Sequence, residues 1–512
     1  MLVKTYGSAL YGINARTITV EVNVTNGLHY FIVGLPDSAV KESLRRIEAA
    51  IRTNGLHMPR TKLVINLAPA DIRKSGTAFD LPISLGVLGA SEQLDYPERL
   101  EEYVFMGELS LDGTVRPIRG VLAIAQQAAS DGFKGLVVPR ENAKEAALVD
   151  ALPIYGVHHI TEVIRFLRDP ESLHPETAEI PGKVVEPESD AVDFSHVKGQ
   201  ENIKRALEIA AAGSHNMLLI GPPGSGKTML ARLLPTILPA MTLPETIETT
   251  KIHSIAGKLP LHVPLVGHRP FRSPHHTISN IAMVGGGIGP QPGEISLAHN
   301  GVLFLDELPE FGKRVLEVLR QPMEERLVTI SRASGSLDFP ARFMLVASMN
   351  PCPCGYYTHP EKICTCPSGL IRSYLHRVSG PLLDRIDIQV EVNPLTYSDL
   401  SQQYEAEDSR TVQSRVFAAR SLQTERFTGY PGIYGNAHMD AALMQKICPV
   451  PAGSRALLKT AIERLHLSAR AFDRICKVAR TIADLAGSAD IREEHIAEAL
   501  QYRSLDRAGW AA

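Results

Sequence analysis

Apolar and polar positions along this chain change period several times, and each change predicts a different kind of element. Between Ile18 and Val24 every second residue is apolar (Ile18, Val20, Val22, Val24), the period of a half-buried strand. Leu28–Val33 and Leu63–Leu67 add strand-like runs. In Ser38–Arg52 the period becomes helical, with Ala39, Val40, Leu44, Ile47 and Ile51 on one side, and Gly120–Ala129 and Asn142–Val149 also read as helices. This first stretch, to about Asp169, predicts an α+β region. An acidic, proline-punctuated segment from Pro170 to Asp190 reads as a linker. From Val197 to about Val392 strand and helix signals alternate, as a parallel sheet requires. From about Met439 to Arg507, Ala, Leu, Ile and Arg recur every 3.6 residues and predict a helical tail. No internal repeat interrupts this order.

Composition narrows the class. A chain of 512 residues exceeds what one core supports, so about three domains are expected. Its formal charge of -3 excludes a globally basic nucleic-acid coat and leaves any nucleic-acid contact to local patches. No stretch is apolar enough to span a bilayer, and Met1-Leu2-Val3-Lys4 does not open a signal peptide. Of six cysteines, four bunch between Cys352 and Cys366, which suits a reducing compartment. The expectation is a cytoplasmic protein without a membrane partner.

The chemistry concentrates in the alternating region. Gly221-Pro222-Pro223-Gly224-Ser225-Gly226-Lys227-Thr228 follows the apolar run Met217–Ile220 and precedes a helix-like run, the context that makes such a pattern a phosphate loop. Its amides would curl round the β-phosphate of ATP, Lys227 would reach the β- and γ-phosphates, and Thr228 would ligate Mg²⁺. A second apolar strand, in Gly301–Glu307, ends in two carboxylates. Asp306 would hold Mg²⁺ through water, and Glu307 would orient the attacking water. A third, Phe343–Asn350, ends in an amide fit to sense the γ-phosphate, although Asn350-Pro351 is also a turn signal. Arg385, within Gly380–Asp387, would either complete a neighbouring subunit's site or form a surface ion pair with Asp384 or Asp387.

Together, Gly221–Thr228, Leu305–Glu307, Asn350 and Arg385 resemble the AAA+ ATPases, with the helical tail as their lid and Ser468-Ala469-Arg470 similar to the second sensor, an arginine that touches the γ-phosphate. Arg272-Ser273-Pro274-His275-His276, Pro292–Asn300 and Gly380–Asp387 resemble the magnesium-chelatase branch. Asn66–Asp80 and Gly113–Gly120 resemble the Lon protease domain fold (ribosomal S5 domain 2-like). The serine and lysine of Lon proteolysis align with Ala78 and Leu122, which supply neither nucleophile nor base, so a binding or assembly module is expected. Over nearly its full length the chain resembles the ComM/YifB family of magnesium-chelatase-like AAA+ ATPases. The resemblance implies an α/β AAA+ domain with helical lid behind an α+β Lon-like domain. The expected boundaries are 1–170, a linker at 171–194, an ATPase core at 195–395 and a lid at 396–512. It further implies a homo-hexamer that hydrolyses ATP with Mg²⁺ and drives DNA branch migration in recombination during natural transformation. A chelatase motor subunit and a protein-remodelling machine are the alternatives.

Two further signals bear on what the ring acts on. Lys251–Gly293 contains no Asp or Glu but holds Lys258, Arg269 and Arg272, and Leu327–Pro340 reads as a hairpin with Arg332 beside Ser334-Gly335 near its tip. In the resembled branch both inserts face the pore, so these four cations are the expected contacts to single-stranded or branched DNA. The alternative is solvated loops that bind nothing. From Met229 to Pro270 there is no Phe, Tyr or Trp, which counts against a pore that grips polypeptide. Finally, Cys352-Pro353-Cys354 and Cys364-Thr365-Cys366 offer four thiolates, enough for a tetrahedral Zn²⁺, with His359 between the pairs as a substitute ligand. Reduced thiols that merely pack are the other reading.

Overall fold

The computed structural model describes residues 1–177, 192–260, 263–287, 289–332, 335–357, 359–394, 407–465 and 468–503. Most of the expected linker, the 395/396 boundary and Ser334 lie outside them.

The first 170 residues build a seven-stranded mixed sheet. In spatial order its strands are Tyr30–Val33, Lys62–Ala68, Asn14–Thr25, Leu2–Tyr11, Tyr103–Phe105, Gly135–Pro139 and Ile154–Val157. Alternation places Ile18, Val20 and Val22 inward on the second strand in the chain, where all three are fully buried. The helix Ser38–Thr53 begins at Asp37, whose side chain accepts from the Val40 amide at 2.8 Å, and buries Val40, Ile47, Ala50 and Ile51. Half of this sheet differs from the α+β expectation. Tyr103–Phe105, Gly135–Pro139 and Ile154–Val157 run parallel and are joined through the helices Val121–Ser130 and Arg140–Ala146. Those strands are only three to five residues long, too short to leave a period in the sequence.

The second sheet is wholly parallel, with spatial order Phe271–Arg272, Val302–Leu305, Met344–Met349, Met217–Ile220, Ile388–Glu391. Its middle three strands are buried throughout, because helices cover both faces, and they therefore read as continuous apolar runs. The helices Ser409–Arg426, Ala441–Ile447, Ala469–Leu485 and Glu493–Gln501 pack on one side of it, and Val416, Ile475 and Ile482 share a core with Met217 and Phe304. The expected hairpin is present as Leu327–Arg332 paired antiparallel with Gly335–Pro340.

The two sheets meet through the insert-bearing helix Leu243–Ile255. The Gly120 amide donates to Ser254 Oγ at 3.0 Å, and Ile255 is buried among Val121, Ala125 and Ile154.

Candidate functional site

Three parallel strands end side by side, one followed at once by the phosphate loop and the other two by a polar residue. Met217–Ile220 leads into Gly221, Val302–Leu305 into Asp306, and Met344–Met349 into Asn350. In the phosphate loop Gly224 and Gly226 adopt φ of +79° and +84°, a left-handed backbone that glycine takes without a steric penalty. The chain then enters the helix Lys227–Ile237, whose first-turn amides point into the loop. Lys227 is 9 % exposed, and its ammonium donates to the carbonyls of Gly221 and Pro222, both at 2.8 Å, and to Asn350 Oδ1 at 3.2 Å. Burial pushes its pKa below the usual lysine value, while Asp306 and Glu307 pull the other way. Thr228 Oγ1 donates to Asp306 Oδ2 at 2.8 Å. The two expected Mg²⁺ ligands, one on a helix and one on a strand end, are thus adjacent. Their oxygens suit a hard cation that keeps several waters.

Asp306 is held by a hydroxyl not singled out in the sequence and by a neighbouring amide. Ser348 Oγ, on the neighbouring strand, donates to Asp306 Oδ1, as does the Glu307 amide at 3.0 Å. Glu307 is exposed and sits at φ +54°, left-handed for a residue with a side chain. His276 lies 3.6 Å from its carboxylate and is flanked by His275 and Phe311. His276 belongs to the Arg272–His276 motif, but its role beside Glu307 needed the fold.

Arg385 is not on the surface and pairs with neither Asp384 nor Asp387. The residue is 6 % exposed, its guanidinium lies 2.5 Å from Glu324 Oε1 and donates to the Pro381 carbonyl, and its Nε has no hydrogen-bond partner among the described residues. Asp387 faces the other way. Burial alone would raise its pKa, but Arg474 at 2.9 Å and His215 hold it well below the usual carboxylate range. The link to Arg474 ties the edge of the second sheet, where Ile388–Glu391 begins, to the helix Ala469–Leu485. Arg470 opens that helix, capped by Ser468, and is exposed without a hydrogen bond or ion pair among the described residues.

The expected DNA contacts divide in two. Arg269 donates to the carbonyls of Pro239 (2.6 Å) and Asn300 (2.8 Å) and pairs with Glu245, while Arg272 makes a two-pronged pair with Glu294 at 2.6 and 2.8 Å. Both guanidinium forks are therefore committed within the chain, because their acceptors approach from elements distant in sequence. Lys258 and Arg332 are exposed, and no partner is found for either among the described residues. Near Lys258, a cleft of about 470 Å³ opens between the N-terminal domain and the insert. It is lined by Arg119, Arg140 and Lys144, all exposed and without an ion pair among the described residues, and by Glu141 and Glu145. Of the two positions expected to align with the Lon serine and lysine, Ala78 is half-buried against apolar core and Leu122 is fully buried.

The four cysteines of the loop after Asn350 converge. Their sulfurs all lie within 4.8 Å of one another. His359 is not among them, because its Nδ1 accepts from the amides of Glu361 and Lys362, each at 3.0 Å. Cys448 and Cys476 are buried in the helical tail, and burial pushes both thiols up to about 12.

Residues 193–400 match the family described as "Magnesium chelatase, subunit ChlI", residues 20–142 "Subunit ChlI of Mg-chelatase", and residues 406–503 "Magnesium chelatase, subunit ChlI C-terminal". The chain is 43% identical over 506 residues to competence protein ComM of Haemophilus influenzae, covering 98% of this chain and 97% of that protein. YifB of Salmonella typhimurium is 43% identical over 502 residues, covering 98% and 96%. The 38 kDa magnesium-chelatase subunit of Cereibacter sphaeroides is 26% identical over 174 residues, covering 31% of this chain and 52% of the subunit. The chain belongs to the ComM/YifB family of magnesium-chelatase-like AAA+ proteins.

Proposed function

We propose that this protein is an ATP-driven DNA motor, a homo-hexamer that promotes branch migration during homologous recombination, above all when incoming single-stranded DNA is integrated in natural transformation. The observation that carries the ATPase half is the convergence of Lys227 with Asn350 and of Thr228 with Asp306 at three adjacent strand ends. In this reading the loop amides and Lys227 hold the ATP phosphates, Thr228 and Asp306 hold Mg²⁺, and Glu307 orients the water, with His276 steering its carboxylate. When bound, Mg²⁺ would neutralise charge that develops on the phosphates. Arg470 reaches the γ-phosphate from the lid. Arg385 exchanges Glu324 for the neighbouring subunit's nucleotide, which requires a head-to-tail interface of the kind that closes into rings. The four loop thiolates hold Zn²⁺.

The DNA half is supported by the relative's name, competence protein, at 43% identity, and by the exposed cations Lys258, Arg332, Arg119, Arg140 and Lys144, none of which has an ion pair among the described residues. Residues 1–170 act as a Lon-like module without proteolytic chemistry, joined by 171–194 to the core at 195–395 and the lid at 396–512. An apolar core drawn wholly from residues between Val3 and Leu167 supports the first of these divisions. No helix of the described residues is long and apolar enough to cross a membrane. The motor is proposed to act in the cytoplasm.

The discriminating experiment is ATP turnover with forked DNA, with a model polypeptide and with neither. Stimulation by DNA alone is the expected result. Stimulation by polypeptide alone would point to protein remodelling, and indifference to both would point to a chelatase subunit.

A further inference from the structure

The loop that follows Asn350 holds a second site. Cys352 Sγ lies 3.3 Å from Cys354 Sγ and 3.7 Å from Cys364 Sγ, and Cys354 lies 3.6 Å from Cys364. A tetrahedral Zn²⁺ with bonds of about 2.3 Å sets its sulfurs about 3.8 Å apart, whereas a disulfide needs about 2.05 Å. All six cysteines of the chain are free. The sulfurs also receive amide hydrogen bonds, as metal-bound thiolates do. Tyr357 N–H donates to Cys352 at 3.3 Å, the amides of Tyr356 and Thr365 face Cys354, and that of Cys366 faces Cys364.

The cluster's neighbours give it a consequence. Cys352 is fully buried two residues after Asn350, the acceptor for Lys227. Gly355, at φ +83°, packs so closely on the phosphate loop that a Cβ there would overlap the Pro223 ring. Just past Cys366 begins the helix Ser368–Leu375, whose Ile371 and Tyr374 share a core with Cys352 and which leads on to Gly380–Arg385.

We propose that Cys352, Cys354, Cys364 and Cys366 bind one Zn²⁺ whose presence sets the position of the phosphate loop and of Asn350, so that metal occupancy governs ATP turnover. The metal site stands on its own geometry, and its control of turnover rests on the ATPase reading. Without the metal, four short-range thiols do not hold the loop closed, and Gly355 leaves Pro223.

The test begins with elemental analysis of full-length protein purified without chelators. One zinc per chain is expected. Less than about half an equivalent overturns the metal site, and one equivalent of iron overturns the metal's identity. Cys354→Ser/Cys366→Ser should lose the zinc and at least tenfold in kcat. Because that variant risks misfolding, the wild-type protein is also stripped with a chelator and reloaded with zinc, and turnover should fall and then recover. Gly355→Ala separates metal from coupling. It should keep one zinc per chain yet lose at least tenfold in kcat. A Gly355→Ala protein with wild-type kcat, or a stripped wild type that turns over normally, overturns the coupling. A zinc-loaded wild type that hydrolyses no ATP overturns the ATPase reading and leaves the metal count standing.

Discussion

The ATPase sheet and the N-terminal sheet both bring buried parallel strands to a loop-rich rim, but the residues waiting at the two rims differ in kind. At the first, Met217–Ile220, Val302–Leu305 and Met344–Met349 are followed by Gly221, Asp306 and Asn350, beside which lie buried Lys227 and exposed Thr228 and Glu307. At the second, the positions that a Lon-like alignment would assign to the serine and lysine hold Ala78, half-buried against apolar core, and the fully buried Leu122. Ionisable groups are buried there too. Asp80 is fully buried and takes a two-pronged pair from Arg46 at 2.8 and 2.9 Å, and Glu145 is locked against the Leu122 amide and Ser254. Burial of charge therefore does not mark catalysis by itself. What separates the rims is whether the groups still face a place a substrate can reach, as exposed Glu307 does and Asp80 does not.

The comparison breaks most readily at Arg385. If Arg385 completes a neighbour's site, Arg385→Ala should cost roughly 10³–10⁵ in ATP turnover while each chain still binds nucleotide. A variant within tenfold of wild type would leave Arg385 as the structural partner of Glu324 alone. Next in size is Glu307→Gln, expected to bind ATP, assemble and lose roughly 10²–10⁴ in kcat as an activated water loses its orienting carboxylate. Near wild-type turnover by this variant would remove the chemical distinction between the two rims.

How much of this was legible beforehand follows from the separation of the parts along the chain. The phosphate loop reads from sequence because eight consecutive residues, Gly221–Thr228, carry it, and the hairpin Leu327–Pro340 reads because its partners are local. Strand Asn14–Thr25 and helix Ser38–Thr53 follow the period that predicts them. Helix Asp80–Ala90 escapes any such reading, since all of its residues are buried and no polar face interrupts it. Strand Leu2–Tyr11 buries Thr5 and Ser8, so no apolar alternation marks it, and helix Ser409–Arg426 lies within the expected lid but ahead of the stretch whose period predicts helix. Pairings between distant segments were beyond reach. Ser348 with Asp306, Arg385 with Glu324 and Asp387 with Arg474 each join residues at least 42 positions apart. Arg269 and Arg272 show the cost, since a stretch without acidic residues looked free to bind DNA until Glu245 and Glu294 came into contact with it.

That exchange of cations sharpens the comparison at an intermediate scale, because in the proposed function it would give the N-terminal rim a binding role in place of chemistry. Replacing Arg119, Arg140 and Lys144 with Ala should leave ATP turnover without DNA unchanged and weaken DNA binding about tenfold or more. It should also flatten the dependence of log K on log salt by about 2, since each lost phosphate contact on single-stranded DNA removes about 0.7 from the slope. The same measurement on Arg272→Ala should show no change in slope. An unchanged slope for the triple variant would remove this cleft from the DNA path.

The smallest expected effect lies at the junction between the two regions. Glu145 sits beneath the cleft with its Oε1 3.4 Å from the Leu122 amide, and burial, partly offset by Ser254 and that amide, raises its pKa from 4.5 to about 7. In the unfolded chain it ionises near its ordinary value, so between about pH 4.5 and 7 the native state holds a proton that the unfolded state has released. Stability from this group therefore falls as pH rises through that window and stays low above it, by at most about 3 kcal/mol. Glu145→Gln keeps the shape and removes the titration. Its melting temperature should match wild type near pH 5 and exceed it near pH 8 by a few degrees, the gap opening between those values. Equal melting temperatures at both pH values would mean that Glu145 reaches water when ionised, and that the junction is held by Ile255 and the Gly120–Ser254 hydrogen bond without any electrostatic penalty.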